Sequence, residues 1–461
     1  VIGGAPAERL RAALRGEGIA PGDPGYDKAR AIFYGGHAPR PALVVRPADA
    51  ADVARAVDFA RESGLALAVR GGGHGIAGHS GGDGAIVLDL VRLKGLTIDP
   101  EGRTAWAGGG LTAGEYTAAA AEYGLVTGFG DTASVGIGGI TLGGGVGYLV
   151  RKYGLTIDDL LAAEVVTADG RLLYVDERSH PDLFWALRGG GGNFGVVTRF
   201  KFRLHELREV LGGTLVLPAT PEVIAGFVAA AQAAPDELST IAGVMKAPPL
   251  PFLPPELHGQ PILMVSLAYA GVGETAERAV APLRALARPI ADMVRPMRYV
   301  EIYPPDEGGA HPMAQGRTLF VERVDRAVAA MILERIRSST AMIAVAQIRV
   351  LGGAMARVPA DATAFAHRGA PILMNVGALY QRPEEGAAHA AWAEALAQDL
   401  RQGVEGAYVN FLGAEGEARV REAYPGATWE RLAAVKRRYD PGNLFSRNHN
   451  IPPAAEAAVG A

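Results

Sequence analysis

The sequence predicts a mixed α+β fold that is divided into two or three domains. Its 461 residues exceed what one ordinary hydrophobic core holds. Residues 42–69 have the pattern of a β-α-β unit, whereas longer helices alternate with strands from about residue 206 onward. The second pattern is typical of an α+β domain whose helices cover an antiparallel sheet.

The β-α-β unit of residues 42–69 is the first strongly patterned segment. An apolar strand opens it, and Asp49 can cap the helix that follows. This helix carries apolar residues on one face until Ser63, and Gly64 is placed to end it. A second strand, residues 65–69, then delivers the chain to a glycine-rich loop.

That loop, residues 70–80, is rich in glycine and contains two histidines. Glycine lets a backbone approach a ligand closely, and the free N–H groups of such a loop can hold a pyrophosphate. Residues 73–78 match G-x-G-x-x-G and residues 78–82 match the hydrolase nucleophile elbow, but both motifs must open a helix. The strand of residues 85–90 follows instead, which argues against both literal readings.

Composition argues against several classes of protein. The net charge of −4 and the absence of long Lys/Arg runs argue against a nucleic-acid surface. The sequence has no run long enough to span a membrane and no visible signal peptide, so we expect a cytoplasmic protein without a membrane partner. The absence of cysteine excludes disulfides, iron–sulfur clusters and thiolate metal sites. The histidines are scattered, and we expect no metal.

Two further glycine clusters, residues 128–147 and 189–195, follow along the chain. Thr112 opens a helix before the first of them with a capping-box pattern. Asp169-Gly170 joins two apolar runs and favours a hairpin with a type I′ turn. Clustered glycine of this kind indicates backbone that is held against a ligand.

The pattern of the sequence after residue 206 predicts a second domain. Near the C-terminus it predicts a helix over residues 429–435, followed by a turn at Asp440. Apolar periodicity separates its helices from its strands. The predicted helices are residues 221–233, 274–288, 322–337 and 385–402, and the predicted strands are residues 261–269, 342–351, 371–380 and 407–412.

Five motifs stand in a fixed order along the chain. They are Arg70-Gly71-Gly72-Gly73-His74, Leu142-Gly143-Gly144-Gly145-Val146-Gly147, Leu183-Phe184-Trp185-Ala186-Leu187-Arg188-Gly189, Asn193-Phe194-Gly195-Val196-Val197, and Tyr439-Asp440-Pro441 with Asn448-His449-Asn450-Ile451. This order resembles the berberine bridge enzyme-like FAD-linked oxidases of the vanillyl-alcohol oxidase superfamily, densely over residues 42–205 and 406–452. The resemblance implies a PCMH-type FAD-binding domain of two α/β subdomains, residues 1–205, completed by residues 413–461. Residues 206–412 would be an inserted α+β substrate domain.

The resemblance also implies that the cofactor is FAD and that His74 is joined covalently to the flavin 8α-methyl carbon. Such a link withdraws electron density from the flavin, raises its potential and fixes its position. The alternative for His74 is an ordinary hydrogen-bonded loop histidine. The other residues expected to bind FAD are Arg70, Gly71, Gly72, Gly73, Gly75, Ile76, His79, Ser80, Gly128, Asp131, Thr132, Val135, Gly136, Gly138, Gly139, Gly143, Gly147, Tyr148, Val197, Asn448 and Asn450.

The middle glycine cluster carries two further expectations. Many family members attach the flavin a second time through a cysteine three residues before a valine-glycine pair, and Thr132 holds that position here, before Val135. The resemblance therefore implies a single link, and singly linked members tend to have narrower pockets that disfavour a bulky oligosaccharide. Valine at position 135 is associated with oxidases and a bulkier leucine with dehydrogenases, which favours O2 as the electron acceptor.

Residues 406–412 resemble the family segment Tyr-x-Asn-Tyr, which runs beside the reactive edge of the flavin. Strand alternation would point Tyr408 and Asn410 one way and Val409 and Phe411 the other. Tyr408 is the candidate base, although a phenol pKa of about 10 requires a positive neighbour or the flavin itself; the alternative is a half-buried strand tyrosine. Phenylalanine at 411 puts a paired-tyrosine mechanism in doubt. Further polar candidates are Glu322, Arg323, His311, Tyr380 and Gln381.

Three functions remain open from the sequence. The first is an FAD-dependent oxidase that takes a hydride from a CH–OH or CH–NH carbon of an alkaloid, amine, sugar or similar small molecule and returns electrons to O2 as H2O2. The second is a dehydrogenase on the same scaffold with another acceptor. The third is a flavin-holding protein without turnover. In each case we expect a monomer or a homodimer.

Overall fold

The computed structural model describes residues 4–303 and 311–455. This part of the chain forms three main sheets and one two-stranded ribbon. Helices and mostly antiparallel strands are mixed along it, so the predicted α+β class is confirmed. Among these residues no helix is long and apolar enough to cross a membrane.

The first sheet contains the predicted β-α-β unit. Its elements are α1 (Gly4–Ala13), β1 (Glu17–Ile19), α2 (Tyr26–Arg30), β2 (Leu43–Arg46), α3 (Ala50–Ser63), β3 (Leu67–Arg70) and β4 (Ile86–Asp89). The strand order is β1-β2-β4-β3, and β4 is parallel to both β2 and β3. The Asp49 carboxylate accepts a hydrogen bond from the Asp52 amide at 3.0 Å, and Gly64 ends the helix with a φ of 67°. Both limits of the helix follow the sequence pattern.

The second sheet is antiparallel and has the order β5-β6-β10-β8-β9. The elements of this region are β5 (Leu96–Asp99), β6 (Thr104–Gly108), α4 (Ala113–Ala121), β7 (Leu125–Val126), α5 (Ile137–Gly143), α6 (Val150–Tyr153), β8 (Leu160–Val166), β9 (Leu172–Val175), α7 (Pro181–Leu187), β10 (Val196–Arg203) and β11 (His205–Glu206). The capping box at Thr112 is present, since Thr112 and Glu115 exchange backbone and side-chain hydrogen bonds.

The hairpin of β8 and β9 is present, but its predicted turn type is wrong. A type I′ turn needs a positive φ at both central residues, and Asp169 is not among the residues with positive φ, whereas Gly170 has a φ of 77°. The amide of Thr167 donates to the Arg171 carbonyl at 3.0 Å, which leaves a three-residue loop. A left-handed glycine at the end of such a loop accommodates the extra residue.

The third sheet is large and antiparallel, with the order β15-β12-β14-β13-β18-β19-β17 and β16 beside β12. Its strands are β12 (Glu209–Pro218), β13 (Leu238–Lys246), β14 (Pro261–Tyr269), β15 (Ala291–Asp292), β16 (Arg295–Arg298), β17 (Met313–Val321), β18 (Ile343–Val350) and β19 (Ile372–Tyr380). Its helices are α8 (Pro221–Ala233), α9 (Glu274–Arg284), α10 (Arg326–Ser338), α11 (Ala354–Arg357) and α12 (Gly386–Leu400). All four predicted helices are present, and the strands β12, β13, β15, β16 and β17 were not predicted.

The two faces of the large sheet serve different purposes. Side chains of α8, α10 and α12 pack against one face to form a buried apolar core. Along β18, Ala346 and Ile348 belong to that core. Strand alternation therefore puts Gln347 and Arg349 on the opposite face, where both line a cavity. The helix-covered sheet thus presents its polar face to the candidate site.

Residues 407–412 do not form the predicted strand. Val409–Phe411 is a single 3-10 turn, and the Phe411 amide donates to the Tyr408 carbonyl at 2.9 Å. The helices α13 (Glu417–Ala423) and α14 (Ala427–Tyr439) follow. The segment is a connection between the large sheet and the C-terminal helices, and a turn satisfies its backbone groups without a neighbouring strand.

A fully buried lysine on α14 holds the C-terminal segment in place. The Lys436 ammonium donates to the Asn193 carbonyl and the Asp440 carboxylate at 2.7 Å each, and to the Phe445 carbonyl at 2.8 Å. The Asp440 carboxylate also accepts from the amides of Leu444 and Phe445. Burial lowers the pKa of Lys436, and the adjacent Asp440 opposes that shift. This ion pair fixes the turn that carries the chain back against the third glycine cluster.

We therefore expect the Lys436→Met variant to lose about 3–5 kcal/mol of unfolding free energy, because it leaves a buried carboxylate without its partner. Urea denaturation of the holoprotein measures the loss. Lys28→Met, at an exposed position, is the matched control and should change stability by less than about 0.5 kcal/mol. Equal, small losses in the two variants would contradict a structural role for the Lys436–Asp440 pair.

Candidate functional site

A long cavity lies where the three glycine clusters, the large sheet and the C-terminal segment meet. It has two compartments with empty volumes of about 1030 and 1300 Å³, including their open mouths. The tail compartment is lined by residues 447–449, and the sheet compartment is lined by Gln347, Arg349 and Asn375. The residues shared by both are Val69, Gly71, Gly75, Ser80, Gly139 and Asn410.

The floor of the cavity is made of two glycine backbones in direct contact. A Cβ placed on Gly72 would lie 2.3 Å from the Gly136 nitrogen, and a Cβ on Gly136 would lie 2.3 Å from the Gly72 nitrogen. No side chain fits at either position without moving a loop. The first and second glycine clusters therefore meet only because both positions are glycine.

Other glycines on the cavity wall have no such structural reason. A Cβ on Gly75, Gly139 or Gly192 would meet no described protein atom within 4 Å, and none of the three has a positive φ. All three line the cavity, so a side chain there would project into it. The protein has room for a side chain at these positions, but such a side chain would occupy the space of a ligand that lies along the wall.

Two residues that line the tail compartment each have a buried polar atom without a hydrogen-bond partner among the described residues. These atoms are the Ser80 hydroxyl oxygen and the Asn448 amide oxygen. The Asn448 nitrogen is occupied by the carbonyls of Gly192 and Phe445. Buried polar groups are normally paired. A long ligand with donors and acceptors along its length, such as FAD, fits these atoms and the bare glycine wall.

Two histidines close the tail compartment. The rings of His79 and His449 meet edge to face with their centres 5.0 Å apart. Burial, the nearby Arg447 and His37 lower the pKa of His79. Burial and then His79 lower the pKa of His449 to about 4. Both rings are therefore neutral near physiological pH. His449 was placed in a sequence motif but not among the predicted binding residues, and Arg447 was missed.

His74 lines the sheet compartment. The ring of Phe33 stacks on its imidazole at a centroid distance of 4.1 Å and an interplanar angle of 23°. The Phe33 amide also donates to the Gly73 carbonyl at 3.2 Å, so the segment before β2 lies over the glycine loop. Tyr34, which follows Phe33 in the sequence, also lines the sheet compartment. Neither aromatic residue was predicted, because nothing in the local pattern links residues 33–34 to residues 73–74.

Tyr408 and Asn410 both line the sheet compartment. The Tyr408 oxygen accepts hydrogen bonds from the Gly145 amide (2.9 Å), the Val146 amide (3.3 Å) and the Asn410 side-chain nitrogen (2.9 Å). Burial raises the pKa of Tyr408, and these donors together with Arg349 oppose that shift.

The predicted strand alternation around Tyr408 is wrong. Phe411 lines the sheet compartment together with Tyr408 and Asn410, and Val409 lines the tail compartment. Because of the 3-10 turn, four successive residues (408–411) line the cavity, which the alternating side chains of a strand would not allow. Gly143 makes room for this arrangement, since a Cβ there would overlap the Asn410 side chain at 2.0 Å.

The large sheet adds a polar wall that sequence reasoning missed. Arg349 is almost fully buried and donates to the Asp131 carboxylate at 2.5 Å, to the Val146 carbonyl at 3.2 Å and to the Gln347 side-chain oxygen at 2.9 Å. Gln347 and Asn375 are direct neighbours in the β18–β19 register. Asp131 alone among these polar side chains was predicted as a site residue.

The structure places most of the predicted cofactor residues on the cavity wall. Arg70 is not on it, because its buried guanidinium bonds to Asp89 and to the carbonyls of Ala29 and Ala31. Of the weaker candidates, His311 bonds to the Phe33 carbonyl at 2.9 Å, and Glu322, Arg323, Tyr380 and Gln381 lie outside the lining. Five other residues that were predicted to bind FAD do not line the cavity: Gly128, Gly143, Gly147, Tyr148 and Asn450.

Acidic and imidazole side chains are dispersed in the described part of the chain. Residues 4–303 and 311–455 contain no group of three or more His, Asp or Glu side chains that could hold a metal ion. The polar side chains on the cavity wall are instead hydroxyls, amides and imidazoles, together with Arg447 and the Arg349–Asp131 ion pair.

Comparison with known proteins identifies the family. Residues 41–176 match the family model described as an FAD binding domain, and residues 407–452 match the one described as berberine and berberine like. (R)-6-hydroxynicotine oxidase of Paenarthrobacter nicotinovorans is 34% identical over 459 residues, covering 95% of this chain and 97% of the relative.

Solved structures agree with this assignment. The crystal structure of 6-hydroxy-D-nicotine oxidase from Arthrobacter nicotinovorans superimposes with a TM-score of 0.86 at 30% identity, covering 96% of this chain and 98% of that one. Xylooligosaccharide oxidase from Myceliophthora thermophila shares the fold, with a TM-score of 0.86 at 24% identity over 97% of this chain and 99% of its own. The glycine-walled cavity and these matches together show that the chain belongs to the berberine bridge enzyme-like family of FAD-linked oxidoreductases.

Proposed function

We propose that this protein is an FAD-dependent oxidase that removes a hydride from a CH–OH or CH–NH carbon of a small organic molecule and passes the electrons to O2, giving H2O2. The observation that carries the proposal is Tyr408, which lines the sheet compartment and whose oxygen accepts hydrogen bonds from three donors. Hydrogen bonds to a phenolate favour that form over the neutral phenol. Burial outweighs these donors, so the pKa of Tyr408 lies above its usual value, and the side chain becomes able to take a proton from a substrate hydroxyl or amine as the pH rises toward that pKa.

The cofactor would occupy both compartments. We assign the FAD-binding domain to residues 1–205 and 413–461 and the substrate domain to residues 206–412. The bare backbone of the glycine wall and the orphaned oxygens of Ser80 and Asn448 support binding of the polar chain of FAD along the tail compartment. Bound FAD supplies the acceptor for the hydride. The chain's own part is to bind, to orient and to accept a proton at Tyr408.

A covalent bond from His74 to the flavin is part of this proposal. His74 lies in the sheet compartment, and the stacked Phe33 ring fixes the plane of its imidazole. A ring held in this way presents one nitrogen along a constant direction. Because the chain contains no cysteine, His74 would carry the single link.

Acid precipitation tests the link. We expect the wild-type precipitate to stay yellow, because a covalent bond survives unfolding, and the His74→Ala precipitate to lose its colour to the supernatant. His258→Ala, at an exposed position, is the matched control and should keep its flavin. Release of all wild-type flavin into the supernatant would rule out the covalent bond.

The role of Tyr408 predicts a loss of rate and a change in pH dependence. Since burial raises the pKa of Tyr408 above its usual value of about 10, the deprotonated base is scarce near neutral pH, and wild-type kcat/KM should still be increasing with pH at about pH 10. Tyr408→Phe should lower kcat by about a hundred- to ten-thousand-fold and abolish that increase.

The control for this experiment is Tyr116→Phe, which removes the hydroxyl of another buried tyrosine, one that bonds to Thr127 in the core. It should cost stability without changing the pH profile. If Tyr408→Phe keeps the wild-type pH profile, Tyr408 is not the base.

The choice of acceptor predicts the behaviour of reduced protein in air. Photoreduced wild type should regain its yellow colour within the turnover time and release one H2O2 per flavin. Val135 lines the sheet compartment, and the larger side chain of Val135→Leu should slow this recovery by restricting access of O2. Slow recovery in wild type, with fast recovery on adding an artificial electron acceptor, would favour the dehydrogenase.

A further inference from the structure

From the charges of the sheet compartment we infer that the substrate is an uncharged alcohol with two or more oxygen functions, and not an ammonium ion. The inference rests on the proposed function and names its substrate class. It sets this chain apart from (R)-6-hydroxynicotine oxidase, a relative whose name specifies an amine. Three features of the described lining support it.

The first feature is that the compartment contains no unpaired charge. Arg349 and Asp131 are the only Arg, Lys, Asp or Glu side chains among its described lining residues, and they bond to each other at 2.5 Å. The other Asp131 oxygen accepts from the Thr132 hydroxyl at 3.1 Å. An ammonium ion bound at Asp131 would lie beside the Arg349 guanidinium, and like charges at such a short distance repel each other.

The second feature is a pair of amides on the sheet wall. Arg349 donates from Nε to the Gln347 oxygen. Because a guanidinium can only donate, the Gln347 oxygen must face Arg349, and its NH2 group is left for a ligand. The Asn375 side chain lies directly beside it in the strand register and bonds to no other described residue. Together they offer donors and an acceptor without charge, which suits neighbouring hydroxyl or carbonyl groups.

The third feature is that the aromatic residues of the compartment are also uncharged. Burial and then Asp131 raise the pKa of Tyr34, so its hydroxyl stays protonated and can donate. The guanidinium of Arg349 lies over one face of the Phe411 ring, 4.9 Å from its centre, so a cation already occupies that face.

The chemistry of the reaction agrees with this choice. With FAD bound, a secondary alcohol would lose its carbon-bound hydrogen as a hydride to the cofactor and its hydroxyl proton to Tyr408, and O2 would take the two electrons with two protons to form H2O2. In the overall reaction, one molecule of the secondary alcohol and one of O2 give one ketone and one H2O2. An alcohol enters this reaction uncharged, whereas an amine is a cation near neutral pH and must first lose a proton.

A probe panel with matched skeletons tests the inference. The neutral arm contains glucose, cellobiose and trans-1,2-cyclohexanediol, the cationic arm contains glucosamine and trans-2-aminocyclohexanol, and the anionic arm contains glucuronate. The holoprotein is tested for the rise in Tm on ligand binding and for anaerobic flavin bleaching. We expect both signals from the neutral arm only. Equal or larger signals from a charged arm, or silence in every arm, would overturn the inference.

A charge variant makes the test independent of substrate identity. Gln347→Glu adds one negative charge to the compartment, and Gln381→Glu adds the same charge at an exposed position outside the lining. The dissociation constant of the aminocyclohexanol relative to the diol should fall about tenfold or more in Gln347→Glu and stay constant in the control. An unchanged ratio in Gln347→Glu would refute charge as the basis of selection.

The outcomes also separate this inference from the proposed function. If the neutral arm bleaches the flavin but air releases no peroxide, the oxidase is refuted and the substrate class is supported. If the neutral arm raises Tm without bleaching, turnover is refuted and the binding class is still supported. If the amine bleaches the flavin and peroxide is released, the oxidase stands and the substrate class is wrong.

Discussion

The close contact of Gly72 and Gly136 is the constraint on which the site depends. A Cβ added to either glycine would lie only 2.3 Å from a backbone nitrogen of the other. The first and second glycine clusters can therefore contact each other here only without side chains. The same approach recurs where Gly147 lies against the Phe129 carbonyl. A cavity floor built this way is thin and rigid, and it leaves the room above it for a ligand.

Buried ion pairs join the parts of the chain that surround this floor. Lys436 and Asp440 fix the C-terminal segment, and Arg349 joins the large sheet to Asp131 across 218 positions of sequence. Arg368 donates to both oxygens of Asp158 in the same manner at 2.8 Å. Such pairs contribute little net stability but penalise misalignment, because an unmatched buried charge is expensive. They set the position of each wall relative to the others.

The sequence predicted the fold better than it predicted the site. Strong local periodicity predicted α8 and β14 with their observed limits. The strand β12 was not predicted, and its adjacent Gly212 and Gly213 weaken the pattern of a strand. Tyr408 and Asn410 were found by a motif, although their turn was taken for a strand. Arg349, Gln347, Asn375, Phe33 and Tyr34 reach the site only through tertiary packing, which no local pattern records.

The C-terminal segment has a consequence for the order of assembly. Asn448 bonds to the Gly192 carbonyl across 256 positions of sequence, and residues 447–449 complete the tail compartment. During synthesis the N-terminal sheets emerge first, so the tail compartment exists only after residue 449 has left the ribosome. A ligand in the tail compartment can therefore be fully enclosed only after the C-terminal segment has been synthesised.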